Sequence, residues 1–227
     1  MKCSKCNSEK KVKNGFVKGR QRYRCKDCGN NYSVEQKSTA KLPSERRLGL
    51  MMYLEGLGFN SIGRLLGVSH VAVIKWIKKY GNQLSEVKND KPVEVVELDE
   101  MHSYIMSKKY CWIWIAVDRG GKRYMDFVVG DRSTETGKEL WERIKDIETG
   151  VYCSDYWKSY AECLPHEKHI QSKAETYTVE GYNSRIRHFL ARFRRRTKCY
   201  SKRIYMVIYS LKLLFAKLNN ELSILSY

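Results

Sequence analysis

Long apolar runs are missing from this sequence, and acidic residues are scarce. No stretch approaches the roughly 18 apolar residues of a membrane-spanning helix, and no apolar segment follows the first residues as in a secretory signal. We therefore expect a cytoplasmic, nucleoid-associated protein without a membrane span. Only 25 Asp and Glu stand against 43 Lys and Arg, a formal net charge of +18. This excess predicts a polyanionic partner, either nucleic acid or an anionic membrane surface, and we favour nucleic acid.

An evenly spread cysteine framework is also missing, because four of the eight cysteines lie within the first 28 residues. These four form two C-x2-C pairs separated by 18 residues, a spacing typical of a zinc ribbon with one tetrahedral ion. A hairpin is predicted between the pairs, from Val12–Val17 and Gln21–Arg24 with a turn at Lys18 and Gly19. Free thiols or a redox pair are the alternative. The predicted zinc ligands are Cys3, Cys6, Cys25 and Cys28.

The next part of the chain predicts a small helical domain. Apolar residues recur at helical spacing in three segments: 45–55, 60–66 and 69–80. Ser44 is the expected cap of the first helix, and Gly67 with Ser69 forms the turn and cap of a helix-turn-helix. The third helix would then present Ser69, His70 and Lys75 to the DNA major groove. A three-helix bundle without a ligand is the alternative.

From residue 93 the apolar period becomes strand-like. Three strands joined as a meander are predicted at 93–98, 111–117 and 124–129. Helices and strands then alternate: a helix at 134–147, a strand at 151–154, a helix at 156–164, a strand at 166–171 and a helix at 179–193. This is the order of the RNase H-like fold, a mixed sheet covered by helices, so the predicted fold class is multidomain α/β.

Five regions follow from these patterns. We predict a zinc ribbon at 1–40, a helix-turn-helix domain at 41–82, a linker at 83–92, an RNase H-like catalytic domain at 93–203 and a C-terminal helix at 204–227. Charge differs sharply among them. Residues 93–180 hold 17 Asp and Glu against 12 Lys and Arg, whereas residues 181–203 hold nine cations and no acid. Carboxylates beside a phosphate-binding surface indicate a metal-dependent phosphodiester enzyme rather than a simple binder.

Three acidic residues stand where such an enzyme would need them. Asp99 is predicted to end the first strand and Asp155 the fourth, and strand ends present functional groups in α/β sheets. Glu180 lies in the first turn of the last helix, where Asn183 and Arg187 share its face. If the two strands are neighbours, the three acids could hold two magnesium or manganese ions, which oxygen ligands favour over zinc.

Other polar residues were weighed against these three. Asp118 also follows an apolar strand and could replace one of them, but Arg119-Gly120-Gly121 after it reads better as a hairpin turn. Strand alternation should turn Glu100 to the opposite face from Asp99. His102 is adjacent to the site and has no assigned role.

The segments around the three acids resemble transposases of the insertion-sequence-one type. They read Leu98-Asp99-Glu100, Ser154-Asp155-Tyr156-Trp157 and Val179-Glu180-Gly181-Tyr182-Asn183. The cysteine ribbon, the helix-turn-helix and the basic stretch extend the resemblance to nearly the whole chain. Its most specific part is the 24-residue gap between Asp155 and Glu180, short for transposases with an aspartate-aspartate-glutamate triad.

The resemblance implies a function for each half of the chain. Asp99, Asp155 and Glu180 would be the catalytic metal ligands, and the N-terminal half would recognise the terminal inverted repeats of the element. Two departures are visible: the two halves, often encoded in overlapping frames, are continuous here, and His102 stands where tryptophan is common.

The basic run after the catalytic helix predicts a clamp on the DNA backbone. The expected DNA contacts of this region are Asn183, Arg187, Arg194, Arg195, Arg196, Lys198 and Lys202. The function predicted is a DNA transposase, acting on inverted repeats and target DNA as a homodimer or higher oligomer. The alternatives are a zinc-ribbon and helix-turn-helix regulator with an inactive nuclease-like domain and, third, a structure-specific nuclease.

Overall fold

The computed structural model describes residues 1–33, 41–85, 89, 91–106 and 109–222. It divides the chain into two compact units, Met1–Leu42 and Pro43–Tyr227. Together they contain two sheets and seven α-helices in the described residues, so the predicted mixed α/β, multidomain class is confirmed. Within those same residues, none of the helices has the length and apolarity that crossing a bilayer requires.

The N-terminal unit is a three-stranded antiparallel sheet, β1 (Lys11–Val17), β2 (Arg20–Cys25) and β3 (Asn31–Ser33). The predicted hairpin is confirmed, with its turn at Lys18 and Gly19, both of which have positive φ. Two successive positive φ values suit the right-handed twist of a hairpin, which is why glycine is favoured there. The third strand was not predicted, because three residues are too few to show a period.

Three helices open the second unit: α1 (Pro43–Leu54), α2 (Phe59–Leu66) and α3 (His70–Gln83). The predicted turn is confirmed, since Gly67 is left-handed and the Ser69 side chain accepts a hydrogen bond from the Ala72 amide. The predicted cap at Ser44 is wrong, because α1 already begins at Pro43. Proline suits the first turn of a helix, where its missing N–H is not needed.

The second sheet has five strands in the order β6-β5-β4-β7-β8. Their bounds are β4 (Val93–Ile105), β5 (Lys109–Asp118), β6 (Arg123–Gly130), β7 (Thr149–Ser154) and β8 (His169–Gln171). The first three form an antiparallel meander, and β7 and β8 run parallel to β4. The helices are α4 (Thr134–Ile144), α5 (Lys158–Cys163), α6 (Tyr177–Phe189) and α7 (Ile204–Leu218), with 3-10 turns at His166–Lys168, Lys173–Glu175 and Ala191–Phe193.

Strand β4 is much longer than predicted, and this changes the position of Asp99. The strand runs on to Ile105 because it pairs with β5 as far as the Ile105–Lys109 pair, so Asp99 lies in its middle and not at its end. Its parallel pairing with β7 stops at the Glu97–Cys153 pair. The second half of β4 therefore has an edge that β7 does not cover, and Asp99 stands where that open edge begins.

Buried side chains pack on both faces of this sheet. On one face Leu98 and Trp114 pack with α4 and α5. On the other face Met101 and Ile113 belong to a cluster that extends through α6 and α7 to α1, α2 and α3. Helices α1 to α3 and the sheet thus share one core inside the second unit. The buried hydroxyls of Tyr53 in α1 and Ser210 in α7 lie 2.7 Å apart and add a polar link.

Candidate carboxylate site and cysteine cluster

The four N-terminal cysteines come together as predicted. The Sγ atoms of Cys3 and Cys28 are 3.6 Å apart, as are those of Cys6 and Cys25, and all four lie within 4.8 Å of one another. Four thiolates at Zn–S distances of about 2.3 Å in a tetrahedron have S···S separations close to these. The cluster could therefore hold one zinc ion.

The backbone of the two cysteine pairs is matched. After the first pair Asn7 has positive φ and its amide bonds to the Cys3 carbonyl; after the second pair Gly29 does the same with Cys25. The Lys5 amide donates to the Cys3 Sγ at 3.4 Å, which lowers the pKa of Cys3 to about 6. Amides directed at sulfur favour the thiolate, the form that binds metal.

Little else holds this unit together. Among the described residues 1–33, Cys3 and Cys25 are the only buried ones. The apolar side chains of the hairpin are exposed, Phe16 by 73%. The described residues of this unit therefore form no apolar core, which is typical of a module that depends on a metal ion to fold.

Asp99 is the most perturbed carboxylate of the second unit. Its Oδ2 accepts a 2.7 Å hydrogen bond from the Asn183 side chain of α6. Burial raises the pKa of Asp99 to about 7, and the like charges of Glu100 and Asp155 add to the rise. Asn183 is 3% exposed, and its Oδ1 is buried without a hydrogen-bond partner. A carboxylate crowded by like charges next to an unpartnered oxygen is a site that a cation would relieve.

Asp155 follows β7 directly, so the parallel pairing of β7 with β4 carries it towards Asp99. Its Oδ1 accepts the Trp157 amide at 2.9 Å. Glu180 is exposed in the first turn of α6, one turn before Asn183. In the described part of the chain, the cysteine cluster alone gathers three or more possible metal ligands within 4.8 Å. The structure thus brings Asp99 and Asp155 together but does not close the three carboxylates into such a group.

Helix α6 is fixed to the sheet by a buried acid. The Glu97 side chain, fully buried on the same face of β4 as Asp99, accepts the Val179 amide at 2.8 Å. Glu97 also pairs with Arg119 at 2.5 Å, and Arg119 donates to the Glu175 carbonyl at 2.7 Å. A carboxylate at the start of a helix accepts hydrogen bonds from the free backbone amides there, and its negative charge interacts favourably with the positive end of the helix dipole. This contact positions the helix that carries Glu180 and Asn183.

Glu100 points to the opposite face, as predicted from strand alternation. The Tyr160 hydroxyl donates to it at 2.8 Å and the Arg132 Nε donates at 2.8 Å. Burial raises the pKa of Glu100, while these two partners act against the rise.

Asp118 serves the hairpin turn. The Gly121 amide donates to its Oδ1 at 2.8 Å, and Arg123 pairs with its Oδ2 at 3.4 Å. A Cβ on Gly121 would lie 2.3 Å from that carboxylate, so the turn needs glycine there. Asp118 pairs with Val96, three residues before Asp99 on β4, which places it away from the open edge.

The residues predicted to contact DNA fall into two places. Ser69, His70 and Lys75 are exposed at the start of α3. Of the cations predicted to contact DNA from the basic run, those that are exposed are Arg194, Arg195, Arg196, Lys198 and Lys202. Arg187 is partly buried near Asp99 and Arg195, and burial lowers its pKa. The amide nitrogen of Asn183 is engaged by Asp99, so its contact with DNA stays a prediction.

Arg192 differs from its neighbours in the basic run. It is 4% exposed, it donates to the Ser201 hydroxyl and the Met206 carbonyl, and its guanidinium lies over the rings of Tyr53 and Phe59. This arginine is part of the core and not of the basic surface.

The residues that form the carboxylate site also match a known family. Residues 93–211, just over half of the chain, match the family model described as IS1 transposase. The chain belongs to the IS1 transposase family. The matched residues of this IS1-family chain include the whole five-stranded sheet, the three predicted acids and the basic run. The cysteine cluster and α1 to α3 lie outside the match.

Individual relatives support the same assignment. The insertion element iso-IS1n protein InsB of Shigella dysenteriae is 32% identical over 111 residues, which is 48% of this chain and 85% of that protein. InsB of IS1 4 from Escherichia coli K12 is 30% identical over 109 residues, 48% of this chain and 65% of its own length. InsB of IS1 from Shigella flexneri is 30% identical over 109 residues and 83% of its length is covered.

Sequence reasoning missed the Glu97–Arg119 pair of this IS1-family chain. One signal was available: Glu97 is an acid between apolar residues of a strand, on the same face as Asp99. Its partner could not be found that way, because Arg119 lies 22 residues away in a turn.

Proposed function

We propose that this chain is a transposase that binds the terminal inverted repeats of its element and cleaves and joins DNA strands at Asp99, Asp155 and Glu180. The observation that carries the proposal is the pair Asp99 and Asp155, which interact at the open edge of β4 inside the IS1-family region. It would act on chromosomal DNA in the cytoplasm, as a homodimer or higher oligomer.

The sheet supports an RNase H-like interpretation of the catalytic domain. An antiparallel three-strand meander continues into two parallel strands, with β4 at the centre, and helices pack on both faces. In such sheets, residues at the central strand and at the end of its parallel neighbour share one site. Asp99 and Asp155 occupy those two positions.

Magnesium or manganese fits the donors, which are carboxylate oxygens. Asp99, Asp155 and Glu180 would hold the ions, which neutralise charge on the reacting phosphate and activate the attacking oxygen when bound. Asn183 keeps Asp99 oriented through its 2.7 Å hydrogen bond. Glu97 fixes the first turn of α6, which limits how far Glu180 can move. Arg187 and the exposed cations after it would hold DNA phosphates.

The N-terminal regions would supply recognition. We propose that the zinc-bound ribbon and α3, through Ser69, His70 and Lys75, contact the inverted repeats. The regulator alternative is not favoured, because a protein that only binds DNA has no need of Asp99, Asp155 and Glu180, which are all present in the IS1-family region.

The proposal is tested by strand cleavage and joining on a duplex that carries the element's inverted repeat. Asp99→Ala, Asp155→Ala and Glu180→Ala should each abolish both reactions in magnesium while leaving repeat binding nearly intact. Each single loss should be close to complete, because ligands that act together have non-additive effects. Asp118→Ala is the matched control and should keep substantial activity. An inactive Asp118→Ala protein beside an active Asp99→Ala protein would overturn the assignment.

A further inference from the structure

One part of the five-stranded sheet leaves aromatic side chains in solvent. On β4 and β5 the cross-strand pairs His102–Trp112 and Tyr104–Tyr110 lie on the face of the sheet that carries Leu98 and Trp114, and Trp112 packs at the margin of the buried cluster there. Tyr110 is 56% exposed and His102 is also exposed. Outward positions of a half-covered antiparallel sheet are normally polar, so an exposed aromatic patch indicates a binding surface.

Further aromatic rings extend this group of four at both of its ends. The ring of Tyr200, from the basic run, lies 5.0 Å from that of Tyr104. At the other end the Arg132 guanidinium lies between two rings, 4.6 Å from Trp112 and 3.8 Å from Trp157. We call this surface the aromatic strip; its rings are His102, Tyr104, Tyr110, Trp112, Trp157 and Tyr200.

The strip begins at the carboxylate site. The backbone amide of Trp157 donates to the Oδ1 of Asp155, so the first ring of the strip and the predicted metal ligand are two residues apart. From there the strip crosses β5 and β4 to Tyr200, whose hydroxyl donates to the Arg195 carbonyl at 3.4 Å. The rings of β4 and β5 lie on the face of the sheet to which Glu100 points, opposite Asp99, so a strand would reach them from Asp155 around the open edge of β4.

The charge around the strip is positive. A groove of about 290 Å³ beside it is lined by His102, Tyr104 and Tyr200 together with Arg187 and Arg195. Burial and the charges of Arg187, Arg195 and Arg132 lower the pKa of His102. Glu100, on the same face, accepts hydrogen bonds from Arg132 and Tyr160. Aromatic faces beside cations are what single-stranded nucleic acid binds, through base stacking and phosphate contacts.

We propose that the aromatic strip is a stacking platform for unpaired nucleotides of the DNA strand that enters the carboxylate site, with Arg187 and Arg195 holding its phosphates. A paired duplex offers the rings only the edges of its bases, whereas an unpaired strand offers their faces. The identity of the strand rests on the proposed function, but the contact between ring and base does not. A second protein surface is the competing occupant, and the positive charge disfavours it.

The test measures binding of the full chain to a fluorescent oligodeoxythymidine of about 12 nucleotides, within the usual site size of single-strand binders. The double variant Tyr104→Ala/Tyr110→Ala should bind it about ten-fold or more weakly, since stacking is worth ~1–3 kcal/mol per base. The matched control Tyr104→Phe/Tyr110→Phe keeps both rings and should bind like the parent. An abasic oligonucleotide should bind the parent and the alanine variant equally.

The dependence of DNA affinity on salt concentration distinguishes the contribution of the rings from that of the cations. Because tyrosine carries no charge, the alanine variant should keep the parent's dependence of affinity on salt. Arg195→Gln should lower the slope by nearly one, as expected for one lost phosphate contact. An alanine variant that loses affinity for blunt duplex and single strand alike, or that keeps full single-strand affinity, overturns the platform. A change in sedimentation without a change in DNA affinity would show a protein interface instead.

A measurement on the unmodified protein covers the case in which the alanine variant does not fold. Oligodeoxythymidine should quench tryptophan fluorescence through the partly exposed Trp112 and Trp157, and the abasic oligonucleotide should not; equal quenching by both would contradict stacking. All these binding experiments are done without added magnesium or manganese and without chelator, so that no cleavage takes place and zinc stays on the cysteine cluster. A result against base stacking on the aromatic strip therefore does not affect the catalytic assignment of Asp99, Asp155 and Glu180. A result against that assignment likewise does not affect the stacking proposal.

Discussion

The cysteine cluster and the carboxylate site of this chain are built in opposite ways. The four cysteines lie within 4.8 Å of one another above almost no buried residues, because in 1–33 only Cys3 and Cys25 are buried. Asp99 stands on a strand with packed side chains on both faces of the sheet, and its hydrogen bond to Asn183 is already made. A region without an apolar core needs a bound ion to stabilise its fold. A region with a packed core can keep its carboxylates in place before any ion binds.

The largest expected effect that tests this comparison is on the cysteine cluster. Cys25→Ser should remove bound zinc and unfold residues 1–42, because zinc binding provides on the order of 10 kcal/mol in such modules. The unit 43–227 should stay folded. Zinc content and limited proteolysis of the two units measure the result, and Cys199→Ser, an exposed cysteine outside the cluster, is the control. Equal zinc in the Cys25→Ser and parent proteins would remove the assignment.

A smaller effect is expected from the acid that positions α6. Glu97→Ala should lower the free energy of unfolding of the second unit by about 3 kcal/mol, because Arg119 and the Val179 amide lose a buried partner. Urea unfolding measures it. The control Glu94→Ala removes an exposed acid of the same strand and should change stability little. If both variants unfold at the same urea concentration, the buried pair does not hold the helix.

The smallest effect concerns pH. The pKa of Asp99 is about 7 in the folded chain and near 3.9 when unfolded, so the folded state keeps a proton that the unfolded state releases. The free energy of unfolding should therefore fall as pH rises from about 4 to about 7, and it should fall no further from this cause above that range. Asp99→Asn should remove this loss of stability and should therefore stabilise the protein at pH 8 when no magnesium or manganese is added.

This effect is measured by thermal unfolding without added magnesium or manganese across the same pH range. At the acid end Asp99→Asn and the parent should unfold together. The exposed Asp146→Asn should follow the parent throughout. A stabilisation by Asp99→Asn that does not change with pH would show that the carboxylate is not the group responsible.

The sequence predicted best the features that depend on neighbours along the chain. The hairpin turn at Lys18 and Gly19 and the turn between α2 and α3 at Gly67 are set by residues that tolerate left-handed backbone. The two C-x2-C pairs likewise specify their own geometry. Each of these needs only a few consecutive residues.

Features that depend on distant partners were predicted less well. Asp99 was expected at a strand end because the apolar pattern weakens after Leu98, but pairing with β5 extends β4 to Ile105. Arg192 counts among the nine cations of residues 181–203, and charge does not reveal burial; the structure places its guanidinium over the rings of Tyr53 and Phe59. Pairing and packing partners of this kind are not visible in local periodicity.

The shared core of α1 to α3 with the sheet has a consequence for the DNA. Because α3 and Asp99 belong to one compact unit, the proposed function requires that the protein itself sets the distance from a base contacted by α3 to the phosphate at the carboxylates. Each base pair inserted between those two points moves them by about 3.4 Å and turns one relative to the other around the duplex. An element end lengthened there by half a helical turn would present the wrong side of its duplex to the carboxylates, however well α3 still bound it.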